Sequence, residues 1–170
     1  MEEQSLHAEG QEAVRSSLSP AKQGLSNTPT EVTPVPYDAA RHTAAMSLGK
    51  DERLSRQLLL DKLFSEGKSV SQNGFTLVYL QSALPAFYPA QAAFSAPKRH
   101  FKNATDRNRI KRLLRESYRH VKPELYLRLS EMKTQYAMML IFKGKAVPAH
   151  EVVEKNVGEI IAKFIGRVTK

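Results

Sequence analysis

The chain has 170 residues and 19.1 kDa, room for one ordinary domain or one domain with a tail. Its 26 Lys and Arg outnumber 17 Asp and Glu, a net +9 that favours polyanionic partners, while 41% hydrophobic residues suffice for a core. Zero cysteines exclude a disulfide framework, a thiolate metal site and a cysteine nucleophile. The longest apolar run, Tyr136 to Phe142, is far short of the ~18 residues a membrane span needs. No secretory signal follows the acidic start at Glu2 and Glu3, so a soluble, cytoplasmic protein that engages no membrane is expected.

Residues 1–50 hold Pro20, Pro29, Pro34 and Pro36 among Ser, Thr, Gln and Gly, with no apolar repeat long enough to bury. That composition does not offset its ordering entropy, so 1–50 is expected as a disordered extension and 51–170 as the domain. Leu59, Leu60, Leu63 and Phe64 then recur at helical spacing and stop at Gly67, a C-terminal cap. Phe75, Leu77 and Tyr79 alternate with Thr76, Val78 and Leu80, which predicts a strand. Pro85 and Pro89 turn the chain into a second apolar stretch, Gln91–Ala96. The basic segment that follows reads as loop to about Asp106, with Asp106 as the N-cap, and as helix from Arg107. Pro123 suits a kink with continuation through Leu129. Tyr136–Phe142 reads as a buried central strand, and Lys143-Gly144-Lys145 as the turn after it. A last helix places Val153, Val157, Ile160, Ile161, Phe164 and Val168 on one side. The expectation is an α/β class fold, an α+β sandwich with one small sheet.

The charge is not spread evenly. Residues 98–122 carry ten basic side chains against Asp106 and Glu116 alone, so this stretch supplies +8 of the +9. At about 100° per residue, Ile110, Leu113, Leu114, Ser117 and Val121 fall on one side of the predicted helix, and Asn108, Lys111, Arg112, Arg115 and Arg119 on another. Arginine offers planar, paired donors that match phosphate oxygens and stays charged at any relevant pH. A merely solvated face normally mixes signs, whereas this stripe is read as free of acids. The preceding loop adds Lys98, Arg99, His100 and Lys102 around Phe101, which either stacks on an RNA base or plugs the underside of the loop.

The run Pro97-Lys98-Arg99-His100-Phe101-Lys102-Asn103-Ala104-Thr105-Asp106-Arg107-Asn108-Arg109-Ile110-Lys111-Arg112-Leu113-Leu114-Arg115-Glu116 resembles the Arg-Asn-Arg signature of the bacterial ribonuclease P protein family. Upstream, Arg53-Leu54, Leu63-Phe64-Ser65-Glu66-Gly67-Lys68-Ser69 and Phe75–Leu80 resemble that family's first helix, turn and next strand. The resemblance covers about residues 51–165. It implies one small mixed sheet with helices packed on it in the order α-β-β-β-α-β-α, like the second domain of ribosomal protein S5. It also implies a left-handed β-α-β crossover at the signature helix, against the right-handed default.

In function the resemblance implies a subunit that assists a catalytic RNA in removing the 5′ leader of precursor tRNA, with no catalytic residue and no metal ligand of its own. Magnesium is expected on the RNA subunit, and the partners are that RNA and precursor tRNA. The RNA-contacting residues would be Lys98, Arg99, Lys102, Arg107, Asn108, Arg109, Lys111, Arg112, Arg115 and Arg119. For the leader cleft the candidates are Phe64, Tyr79 and Phe101. Leu60 stands where the family often has an aromatic. On the strand the ungapped match falls on Val78, and Tyr79 reaches the cleft only through a one-residue bulge. Phe64 suits core packing and cleft lining equally.

Other classes fit less well. His7, His42, His100, His120 and His150 show no metal-ligand spacing, and no Walker loop, G-x-S-x-G or H-E-x-x-H motif is present. A non-catalytic RNA-binding module shares the charge and the stripe, and only the signature separates it. DNA recognition lacks a helix-turn-helix partner.

Overall fold

In the computed structural model, residues 47–85 and 87–169 are described, all within the second of two compact units, Val32–Lys170. The expected N-terminal extension lies outside the described residues up to position 46. The elements are α1 (Gln57–Glu66), β1 (Lys68–Gln72), β2 (Phe75–Gln81), β3 (Ala90–Ser95), α2 (Ala104–Glu131), β4 (Tyr136–Phe142) and α3 (His150–Val168). The order is the expected α-β-β-β-α-β-α. The four strands form one mixed sheet in the order β1-β2-β4-β3, antiparallel except for the parallel β3–β4 pair. β3–α2–β4 is therefore the β-α-β unit.

The β1–β2 hairpin turns on Asn73 (φ 48°) and Gly74 (φ 82°), two left-handed residues whose twist matches the strands. β1 carries one buried side chain, Val70. β4 is one of the two inner strands, and all its residues but Met139 are buried.

Alternation divides the sheet into two unlike faces. Val70, Phe75, Leu77, Tyr79, Ala92, Tyr136, Met138, Leu140 and Phe142 pack with Ile110, Leu114 and Tyr118 of α2 and Val157, Ile160 and Phe164 of α3. Phe164 meets Tyr79 and Tyr136 edge-on at 4.7 and 5.2 Å, and burying one such ring stabilises by about 1.5–3 kcal/mol. Among the described helices, α1 is the one that covers the other face. There Leu63, Leu54, Leu84 and Ala137 are buried, and Leu59, Leu60, Val78, Leu80, Ala93 and Met139 are only partly so.

α2 starts at Ala104, three residues before the expected start. Asn103 is the N-cap and its amide donates to Asp106 Oδ2 at 3.3 Å, so Asp106 sits in the first turn rather than at the cap. Its carboxylate there complements the positive end of the helix dipole. The helix runs on through Pro123 to Glu131.

Residues 47–54 strap onto the domain, so its packing takes in Ser47–Lys50 ahead of residue 51. Leu48 is buried in the main core. Ala92 N–H donates to Glu52 O and Leu54 N–H to Ala92 O, which extends the sheet past β3 by a single bridge. Glu52 and Lys122, each 3% exposed, form an ion pair at 3.0 Å. Lys122 Nζ also donates to Ser47 O at 2.8 Å, and Gly49 N–H donates to the other carboxylate oxygen at 2.6 Å. Beneath them Tyr126 donates to Ala90 O at 3.1 Å, and burial holds its phenol well above the ordinary tyrosine pKa.

Candidate nucleic-acid interface

The N-terminal half of α2 has two chemical sides. Ile110, Leu114, Ser117 and Tyr118 are buried. Asn108, Arg109, Arg112 and Arg115 are exposed, and Lys111 is half-buried between the two sides. Lys98, Arg99 and Lys102 are exposed on the loop that leads into this helix.

Two members of the expected set are already engaged by the protein. Arg107 Nη1 donates to the carbonyls of Phe101 and Lys102 at 2.9 and 2.6 Å. The first arginine of the signature thus pins the loop, because a guanidinium one turn into the helix can reach back to carbonyls that no backbone donor serves. Arg119 Nη2 donates to Glu116 Oε1 at 2.8 Å, and His120 lies 3.6 Å from the same oxygen while bonding Glu154 Oε1 at 2.8 Å. An acid therefore does border the stripe, at its C-terminal edge, and the acid-free part ends at Arg115.

The leader-cleft candidates separate. The β1–β2 and β2–β4 registers are unbroken from Phe75 to Tyr79, so there is no bulge. Tyr79, 5% exposed, lies in the main core on the two-helix side of the sheet, and Val78 takes the α1 side. Phe101 is the plug rather than a free ring: it is 5% exposed and stacks on Phe142 with centroids 5.9 Å apart. The two-residue period of its strand turns Tyr79 to that side, whereas Phe101, a loop residue, is held there by its packing on Phe142. Phe64 differs, being 58% exposed on α1 above the incompletely covered face.

The Ribonuclease P family model matches residues 48–164, which span the strap, the sheet, the basic helix and most of α3. The chain belongs to the ribonuclease P protein family. It is 31% identical over 125 residues to the ribonuclease P protein component of Chlorobium phaeobacteroides, covering 68% of this chain and 86% of that one. To the component from Porphyromonas gingivalis it is 31% identical over 126 residues, covering 74% and 91%. The fold is similar to that of the RNase P protein from Staphylococcus aureus, with a TM-score of 0.55 at 16% identity over 68% of this chain and 96% of the other. It also resembles the Thermotoga maritima RNase P protein, with a TM-score of 0.51 at 20% identity over 65% and 96%.

Family membership makes the chain the protein component of a ribonucleoprotein nuclease of tRNA processing. Two features of the ribonuclease P domain escape pattern reading. The Glu52–Lys122 pair joins residues 70 apart, and Lys122 differs in no local way from the solvent-facing cations before it. The role of Arg107 in holding the loop is equally silent in the signature. Among the described residues, no three His, Asp or Glu side chains are gathered to hold a metal ion, and no helix is long and apolar enough to cross a membrane.

Proposed function

We propose that the exposed arm of α2 and its entry loop bind the catalytic RNA of ribonuclease P, and that the protein assists removal of the 5′ leader from precursor tRNA. The observation that carries this reading is the stripe Asn108, Arg109, Arg112 and Arg115. It is exposed, the one acid beside it, Glu116, is already paired with Arg119, and it is fixed in space because the opposite side of the helix is buried against the sheet. Such a stripe presents guanidinium groups at successive helical turns to a phosphate backbone. Lys98, Arg99 and Lys102 extend it on a loop held by Arg107. In this reading the leader lies along the partly covered α1 face, where Leu60, Val78, Ala93 and Met139 offer apolar contact and Phe64 offers an exposed ring for base stacking. The protein supplies binding and placement. Bond cleavage, and the magnesium it uses, belong to the RNA.

The test adds purified protein to a bacterial ribonuclease P RNA at low magnesium and follows precursor-tRNA cleavage. Stimulation of cleavage at the mature 5′ end is expected. No stimulation at protein concentrations that saturate RNA binding would overturn the reading.

A further inference from the structure

We infer that the turn Lys143-Gly144-Lys145, at the end of β4, is a second phosphate-contact point for the RNA subunit, continuous with the loop before α2. The inference rests on the function proposed above and adds residues that lie some thirty positions beyond the signature in sequence.

The argument begins with topology. β3 and β4 run parallel as neighbours, with Ser95 paired to Ile141, so both strands exit at the same end of the sheet. The exit of β3 leads into the basic loop 97–103 and the start of α2. The exit of β4 leads into Lys143. The tip of the β1–β2 hairpin lies at this end too, since Phe75 pairs with Phe142.

Packing then fixes the turn against the loop. The ring of Phe142 stacks on that of Phe101, which sits under the basic loop. Gly144 lies directly on the same Phe142 ring: a Cβ there would stand 2.2 Å from Cζ and within 2.9 Å of both Cε atoms. The hairpin closes the other side, with Lys143 N–H donating to Gly74 O at 2.7 Å, and a Cβ at Gly74 would stand 3.5 Å from the Gly144 backbone. One aromatic ring thus separates two basic segments, and the glycine that makes this contact is flanked by two exposed lysines.

Charge makes this end of the sheet a phosphate surface rather than an ordinary solvated turn. In 97–109 the one carboxylate is Asp106, already bonded to Asn103, and from 132 to 150 there is none. Across the hairpin Glu159 is engaged by Gln72. Lys143 and Lys145 therefore face no competing acid in their own segment. The RNA subunit is the partner because α1 and its apolar face sit toward the opposite end of β4, at Ala137, whereas the turn shares its end with α2.

The full-length protein and the Lys143→Ala/Lys145→Ala variant are titrated against the RNA subunit across a salt series, and separately against precursor tRNA alone. Gly144 is left in place, and unfolding midpoints confirm an intact domain. The variant is expected to bind the RNA subunit about tenfold more weakly near physiological salt, and to lower the salt slope by roughly 0.7–0.9 per lysine. Lys143→Arg/Lys145→Arg is expected to keep the wild-type slope, and precursor-tRNA binding is expected to be unchanged. Wild-type binding with an unchanged slope in the alanine variant would overturn this inference alone, as would a loss confined to precursor tRNA. Failure of the wild-type protein to bind the RNA subunit would remove the proposed function as well.

Discussion

Replacing Lys122 by Met keeps the aliphatic stem but removes an ammonium that serves two acceptors, Glu52 Oε1 and Ser47 O. The carboxylate then stays buried with no cation against it. Leaving one half of a buried pair uncompensated costs about 3–5 kcal/mol, a large share of the ~5–15 kcal/mol that holds a domain folded. Because urea unfolding of small proteins changes by about 1–3 kcal/mol per molar, the midpoint should fall by roughly 2 M. The double variant Glu52→Gln/Lys122→Met removes both charges and should recover much of that loss. The coupling read from such a cycle separates an ion pair from two independent packing contributions. A loss below about 1 kcal/mol in Lys122→Met, or a double variant as unstable as the two singles added, would refute the role assigned to the pair.

Arg109→Ala, Arg112→Ala and Arg115→Ala should each flatten the salt dependence of RNA binding by roughly 0.7–0.9, whereas Arg107→Ala should leave the slope at its wild-type value and lower the melting temperature. An equal slope change for Arg107 would show that it contacts phosphate rather than the loop carbonyls. Phe101→Ala should cost about 3–5 kcal/mol in urea unfolding, while Phe64→Ala should stay within about 0.5 kcal/mol and weaken binding of leader-bearing substrate; the reverse ranking would put the cleft on the wrong face. Above about pH 10 the unfolded chain ionises its tyrosines while buried Tyr126 keeps its proton. The folded state then binds more protons, so stability should fall by about 1.4 kcal/mol per pH unit on account of this one phenol. Tyr126→Phe should remove that slope, and an unaltered alkaline profile would contradict it. A chain beginning at Ser47 should match the full-length protein in cleavage and melting, while one beginning at Asp51 should melt lower, because it loses Leu48 and the carbonyl that Lys122 bonds.

Periodicity reports which side of an element meets the core, and where that is enough the sequence is legible. The alternation of Phe75–Leu80, the apolar run of β4 and the stripe of α3 led to the right elements, and the ungapped match rightly put Val78 on the α1 side. β1 is not visible by alternation because it carries one buried residue, Val70, among serines, lysine and glutamine. Its marker is the Asn73-Gly74 turn instead. The start of α2 is not legible, because a first-turn aspartate and an N-cap aspartate look alike in a string of letters. Phe101 could not be assigned because its partner, Phe142, is 41 positions away.

The limit of the basic stripe has a cause within α2 itself. On a helical projection the buried positions of the first half, Ile110, Leu114, Ser117 and Tyr118, centre on about 325° from Arg107 as zero. Those of the second half, Lys122, Leu125, Tyr126 and Leu129, cluster about 50°. The burying side therefore turns by roughly 85° along 28 residues. Before the turn, Tyr118 meets Phe94 of β3 edge-on at 5.5 Å; beyond it, Tyr126 bonds the start of β3 and Lys122 bonds the strap. The angular sector that carries Asn108 and Arg115 in solvent is the one that carries Lys122 and Tyr126 into the core. Arg119 falls at the changeover, half-buried and paired with Glu116. Basic residues spaced along one stripe therefore divide by position: those up to Arg115 are available to a phosphate backbone, and the last serves the fold. Continuing the proposed RNA surface along the same sector of α2 past Arg119 would bury charges, as Lys122 is buried, whereas the helix start adjoins both the entry loop and the end of β4.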